Sequence, residues 1–217
     1  MKGGIRAVFF DLDGTLVRYQ GVDFESSWGA LGVAAGLKEE WDRLLMKYLG
    51  QPERYPDWVR ENAALLRGKC VSRVLEKLLP PPYAPGVKEA VSRLKGQGLI
   101  LGIVSSGVDL VARWVQADLG LDFWVANELV VEGGRFTGQA VLRVGLWDKL
   151  RVVEGEAARR GIPLAQVAFV GDHINDVPVL KAVGLGIAYA PKEEAVARAA
   201  RAVLPHFRDL PALLGSG

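Results

Sequence analysis

The residues best equipped for chemistry fall in four clusters: Asp11-Leu12-Asp13-Gly14-Thr15, Ser105-Ser106-Gly107, Lys149, and Gly171-Asp172 through Asn175-Asp176. Three of them follow directly on short apolar runs, and Lys149 falls at a helix start. Asp11 and Asp13, two apart on extended backbone, point the same way. Clustered carboxylates repel, so the pair needs a cation, a shared proton or both, and Asp172 adds a third acid. Carboxylate oxygens, a backbone carbonyl and waters suit a hard ion such as Mg2+, which keeps several waters and often binds a phosphate as well. Ser105, with the backbone amides of Ser106 and Gly107 near the next helix start, can donate hydrogen bonds to phosphate oxygens. Lys149 supplies a point charge that offsets both the acids and a phosphate. No Gly-x4-Gly-Lys-Ser/Thr loop occurs, which excludes an ordinary P-loop nucleotide site.

These clusters need a scaffold that brings distant segments together. Ile5 to Phe10 reads as a buried strand ending at the first carboxylates. From Val17 to Leu79 the pattern turns helical, with Trp41, Leu44, Leu45 and Tyr48 at i, i+3, i+4, i+7, and Trp58, Val59, Asn62, Ala63 and Leu66 close to it. Pro80, Pro81, Pro82, Pro85 and Gly86 then break the helix. Beyond them helices and strands alternate. Val87, Ala90, Val91 and Leu94 make a helical face, and Leu99 to Val104 is a strand. Asp109 is expected to cap a helix that carries Leu110, Val111, Trp114 and Val115 on one side. A hairpin runs from Glu128 to Val141 about Gly133-Gly134, and a helix runs from Asp148 to Gly161. Val167 to Val170 and Leu185 to Tyr189 are further strands. This alternation implies an α/β fold, a doubly wound, Rossmann-like parallel sheet whose clusters converge at the carboxyl edge. Residues 1–16 and 83–217 are expected to form that core, and residues 17–82 an inserted all-helical cap.

Composition narrows the partners. In 217 residues, 27 Lys and Arg face 25 Asp and Glu, so no whole-chain field singles out nucleic acid or an anionic membrane. A single cysteine, Cys70, rules out an internal disulfide, a zinc finger and a two-cysteine redox motif. No apolar run approaches a membrane span or a secretory core, so a cytoplasmic location is expected. Either a monomer or a homodimer is compatible with this composition.

Each cluster alone also has an ordinary reading. An Asp-x-Asp-Gly segment after a strand can be a turn with capping side chains, Ser-Ser-Gly a plain loop, and Lys149 a solvated helix lysine. Trp28, Trp41, Trp58, Tyr48 and Tyr55 read first as the core of a small helical cap, with one or two placed to meet a leaving group. His173 has no histidine partner at metal-ligand spacing, and Arg198, Arg201 and Arg208 read as a solvated face.

Taken in order, the four clusters resemble the four motifs of the haloacid dehalogenase superfamily phosphohydrolases. The Phe136-Thr137-Gly138 hairpin and the 23-residue step from Lys149 to Asp172 look like the phosphoserine phosphatase branch. The resemblance implies an aspartyl-phosphate mechanism acting on a small phosphorylated metabolite, with Asp11 as nucleophile and Asp13 as acid and base. It implies that Mg2+ is held by Asp11, the Asp13 carbonyl and Asp172, with Thr15 and Asp176 supporting them from behind. Ser105, Lys149, Asn175 and the amides of Leu12, Asp13 and Ser106 would surround the phosphoryl group. Dehalogenating members lack the second aspartate, so Asp13 favours phosphate chemistry. In the phosphoserine enzymes an early acidic residue and a cap arginine read the substrate amino acid. Here Gln20 takes the acidic place, with Asp23 and Glu25 nearby, and Arg60 is the nearest basic candidate. A phosphotransferase or phosphomutase sharing the intermediate, and a binding or regulatory protein that keeps the fold without turnover, stand as alternatives.

Overall fold

In the computed structural model, which describes residues 4–215, β1 (Ala7–Phe10) runs through the middle of a seven-stranded sheet. β2 (Ile100–Val108), β3 (Phe123–Glu132) and β4 (Arg135–Val141) lie to one side. On the other side are β5 (Val167–Gly171), β6 (Leu185–Tyr189) and β7 (Ala202–Leu204). Every neighbouring pair is parallel except β3 with β4. Because β1 pairs with β2 on one side and β5 on the other, the carboxyl end of β1 is the switch point where such sheets open a crevice. The fold is therefore the doubly wound α/β architecture expected from the alternating pattern.

Between β1 and the next core helix the chain forms α1 (Ser27–Ala34), α2 (Lys38–Tyr48), α3 (Tyr55–Leu65) and α4 (Val71–Leu78). Their apolar faces join the core beneath one side of the sheet: Trp28, Leu31, Trp41 and Val59 pack in one continuous cluster with Val8 and Phe10. Alternation along the strand explains the two layers. Val8 and Phe10 face α5 (Val87–Gly96) and α6 (Asp109–Leu119), whereas Ala7 and Phe9 face α7 (Lys149–Arg159), α8 (Val177–Ala182) and α9 (Glu194–Ala199).

Several local expectations change. β2 does not stop at Val104 but carries Ser105, Ser106 and Gly107 on extended backbone to Val108, with its register against β3 shifting over that stretch. Asp109 does not cap α6. Its carboxylate instead accepts from the Leu129 amide (3.1 Å) and pairs with Arg113 (2.9 Å), which ties the helix start to β3. Trp114, expected on the buried face of α6, is 42% exposed. β7 was not anticipated, because three residues are too short for a readable alternation.

Gly186 on β6 lets α8, the helix behind the fourth cluster, lie directly on the sheet. A Cβ there would fall 2.1 Å from the Leu180 carbonyl oxygen, a backbone atom with nowhere to go. Gly186→Ala is expected to lower unfolding stability by about 1–3 kcal/mol in urea titration, as overpacking does.

Candidate active site

Lys149 opens α7 and is wholly buried, a position a lysine holds only when paired. Its Nζ donates to Asp11 Oδ2 at 2.8 Å and to Asp176 Oδ1. Burial opposes the ammonium charge, but Asp11 and Asp176 outweigh it and hold the lysine well above its ordinary range. Asp176 also accepts from the amides of Asp172 (3.0 Å) and His173 (3.1 Å) through Oδ2, which fixes the turn after β5.

Asp172, at the end of β5, faces the same point. Its Oδ1 accepts from Thr15 Oγ1 at 2.8 Å, a bond joining the first and fourth clusters. Gly14, in the left-handed region at φ 75°, makes this approach feasible, since a Cβ would lie 2.1 Å from Asp172 Oδ2. Asp11, Asp172 and Asp176, all buried, each bring one oxygen within 4.8 Å of the others. Burial, reinforced by the Asp11 and Asp176 charges, pushes the Asp172 carboxyl well above the usual carboxylate range. Ionised together, the three carboxylates would outnumber the one ammonium by two charges, which burial resists until a cation compensates. That oxygen-rich donor set fits a divalent metal ion.

Asp13 is held from the helical side. Ser27, at the start of α1, donates its amide (2.9 Å) and its hydroxyl (2.7 Å) to the two oxygens of the Asp13 carboxylate. Burial pushes this carboxyl up to about 7 against those bonds, with the Asp11 charge adding to the rise. Ser27 Oγ also accepts from the Val108 amide at 3.1 Å, so one hydroxyl couples α1, Asp13 and the end of β2. Gly107 is the residue that lets these parts close up, because a Cβ there would fall 2.6 Å from both Asp13 Oδ2 and Ser27 Oγ.

The second cluster is anchored through its backbone. The Ser106 carbonyl accepts from Trp28 Nε1 (3.0 Å), Tyr55 Oη (2.5 Å) and Asn127 Nδ2 (2.8 Å). Asn127 is fully buried. Its Nδ2 also reaches the Val144 carbonyl (3.1 Å), and its Oδ1 accepts from the amides of Arg143 (2.8 Å) and Val144 (3.0 Å). One amide side chain thus joins β3, the end of β2, α3 through Tyr55, and the segment that leads to Lys149. Neither Asn127 nor Ser27 was singled out in the sequence; their roles come from contacts across 81 and 21 positions, which no local pattern encodes.

Most expected site residues gather at one cavity of about 590 Å³. Asp11, Asp13, Ser105, Ser106, Asp172 and Asn175 line its floor, while Lys149, Thr15 and Asp176 stand behind. Some details differ from expectation. The Leu12 amide donates to Asp11 Oδ1 at 2.7 Å, and the Gly107 amide to Ser105 Oγ at 3.1 Å, so each is engaged within the protein. Asn175 Oδ1 is buried without a partner among the described residues. Gln20 is exposed and reaches only Glu25, at 3.4 Å; Arg60 is exposed and paired with Asp57 at 2.8 Å. Neither lines the cavity. Glu25 instead makes a two-pronged pair with Arg18 and a contact with Lys192, which closes this loop against the core. Asp23 does line the cavity.

A doubly wound sheet with an acidic cluster at its switch point defines the structural class. Residues 8–181 match the model of the haloacid dehalogenase-like hydrolase family, and the chain belongs to that family. It is 34% identical over 190 residues to a phosphoserine phosphatase of Archaeoglobus fulgidus, covering 87% of this chain and 53% of that protein. It is 28% identical to one of Methanocaldococcus jannaschii, covering 86% of each chain. The chain thus spans about half the length of the first relative and most of the second. A solved phospho-aspartyl intermediate analogue of phosphoserine phosphatase superimposes with a TM-score of 0.78 at 26% identity, over 98% of this chain and 99% of that one. Among the described residues no helix is long and apolar enough to cross a membrane.

Replacing Asn127 with leucine keeps its bulk and strands the buried amide of Val144 and the half-buried amide of Arg143. Asn127→Leu is expected to cost about 2–4 kcal/mol in urea unfolding, since each stranded polar group carries its own desolvation penalty.

Proposed function

We propose that the chain is a Mg2+-dependent phosphomonoester hydrolase acting through an aspartyl-phosphate on Asp11. The observation that carries this reading is the buried Lys149 between Asp11 and Asp176, just behind a cavity floor that Asp11 and Asp172 line. Asp11 is the nucleophile. Lys149 holds one of its oxygens at 2.8 Å and the Leu12 amide the other at 2.7 Å, so the carboxylate is aimed before substrate arrives. Mg2+, held by Asp11, Asp172 and the Asp13 carbonyl, would neutralise charge on the carboxylates and on phosphate oxygens.

Asp13 handles the proton. In its raised range near neutrality it carries a proton for the leaving oxygen and, once deprotonated, takes one from the water that attacks the phosphorylated Asp11. Ser27 orients it for both steps through the two hydrogen bonds already described. Ser105, whose Oγ accepts from the Gly107 amide and so keeps its own proton free to donate, takes one phosphoryl oxygen. The Asn175 side chain and the Ser106 amide complete the cradle, and Lys149 balances the charge. Residues 17–82 act as a cap that covers the cavity and reads the leaving group, a small phosphorylated metabolite. With Gln20 and Arg60 away from the cavity, phosphoserine itself does not carry over from the relatives.

Asp11→Asn is expected to abolish phosphate release, a loss of at least about three orders of magnitude in kcat. Acid-quenched native protein should carry one phosphoryl group on the peptide containing Asp11 by mass spectrometry, and Asp11→Asn none. Equal rates in the two proteins, or label on another residue, would reject the assignment. Running the assay with added alcohol acceptors distinguishes hydrolysis from phosphoryl transfer.

A further inference from the structure

We infer that the cavity selects a phosphomonoester whose leaving group is a flat, apolar ring, and not a phosphorylated amino acid. This rests on the proposed hydrolase reading and concerns the half of the cavity away from Asp11. That wall is built by α1, α2 and α3. Half-buried Trp58 and Tyr55, stacked on each other at 5.6 Å, lie there, backed by the buried indoles of Trp41 and of Trp28, the latter in edge contact with Trp58 at 5.3 Å. Val33, Leu45 and Leu49 continue the apolar surface. A wall of this kind gains by covering an apolar ring and gives little to a charged chain.

Its polar atoms sharpen the choice. Tyr55 Oη and Trp28 Nε1 are spent on the Ser106 carbonyl, and Tyr48 Oη on Glu61 at 2.7 Å. By contrast, the indole N–H groups of Trp41 and Trp58 are buried and have no partner among the described residues. Trp41 itself is only 3% exposed. Neither N–H is accessible from the cavity, so with the other donors spent this wall offers a ligand an essentially apolar surface.

Charge argues the same way. Among the described residues lining the cavity, Lys38 is the sole lysine or arginine, and it is already paired with Asp42. His173 lies at the far rim against Phe24 and 3.8 Å from Glu193. A substrate α-carboxylate entering this wall would find no free cation and would lose its hydration uncompensated.

The test uses the full chain with Mg2+ and reads binding without turnover. Benzylphosphonate and 2-amino-3-phosphonopropionate are titrated by calorimetry, alongside tryptophan fluorescence, in the native protein, Trp58→Leu and Leu49→Lys. Benzylphosphonate is expected to bind at least about tenfold more tightly than the amino acid phosphonate. Trp58→Leu should erase most of that preference. Leu49→Lys alters a half-exposed wall position and keeps the test open if Trp58→Leu fails to fold; it should shift the preference toward the amino acid. Equal or tighter binding of 2-amino-3-phosphonopropionate to the native protein overturns the inference, even if Asp11-dependent hydrolysis is intact. Absence of Asp11-dependent hydrolysis, with the benzylphosphonate preference present, overturns the hydrolase reading and leaves the aromatic site standing.

Discussion

A fully buried ammonium held between two carboxylates is the constraint on which the rest of this structure depends. Taking Lys149 out of water is costly unless Asp11 and Asp176 both reach it, and they come from the ends of different strands. The position of α7, the turn after β5 and the end of β1 are therefore fixed relative to one another by a single charge. Asp172 adds a third acid, and the negative charge it would contribute on ionising is what a divalent ion can neutralise. Stability and chemistry meet here in tension: the same acids that pair with Lys149 repel one another.

The helices between β1 and α5 are tied to this floor by specific polar contacts as well as by packing. Ser27 grips Asp13, while Trp28 and Tyr55 converge with Asn127 on the Ser106 carbonyl. A shift of α1 would move the Asp13 carboxylate, and a shift of α3 would move the strand end that carries Ser105 and Ser106. The Glu25 contacts with Arg18 and Lys192 add a third tie close to Asp172, whose carbonyl accepts from the Lys192 amide at 2.9 Å. The proposed substrate selection and proton transfer would therefore share one mechanical frame.

Much of this was legible in the chain because its signals are local. Strand periodicity located β1, β5 and β6 to within about two residues, and Val87, Ala90, Val91 and Leu94 all face inward on α5 as their spacing requires. The acidic clusters could be placed at one sheet edge because parallel topology leaves little choice. What stayed hidden depends on tertiary contacts. Asn127 sits in an ordinary strand, and nothing near it in sequence announces five hydrogen bonds. Gln20 is placed by offset from a pattern and Arg60 only as the nearest basic residue, whereas the loop conformation turns the first to solvent and the helix face exposes the second. The amides of Leu12 and Gly107 are engaged by their own neighbours, a detail that only backbone geometry decides.

The most direct test of the central claim is calorimetric titration of Mg2+ into the full chain and into Asp172→Asn, with thermal unfolding recorded on the same samples. The account predicts one ion bound per native chain, a higher unfolding temperature in its presence, and loss of both effects in the variant. Native protein that neither binds the ion nor gains stability from it, or a variant that binds it equally well, would contradict the picture of a cluster built around a divalent cation.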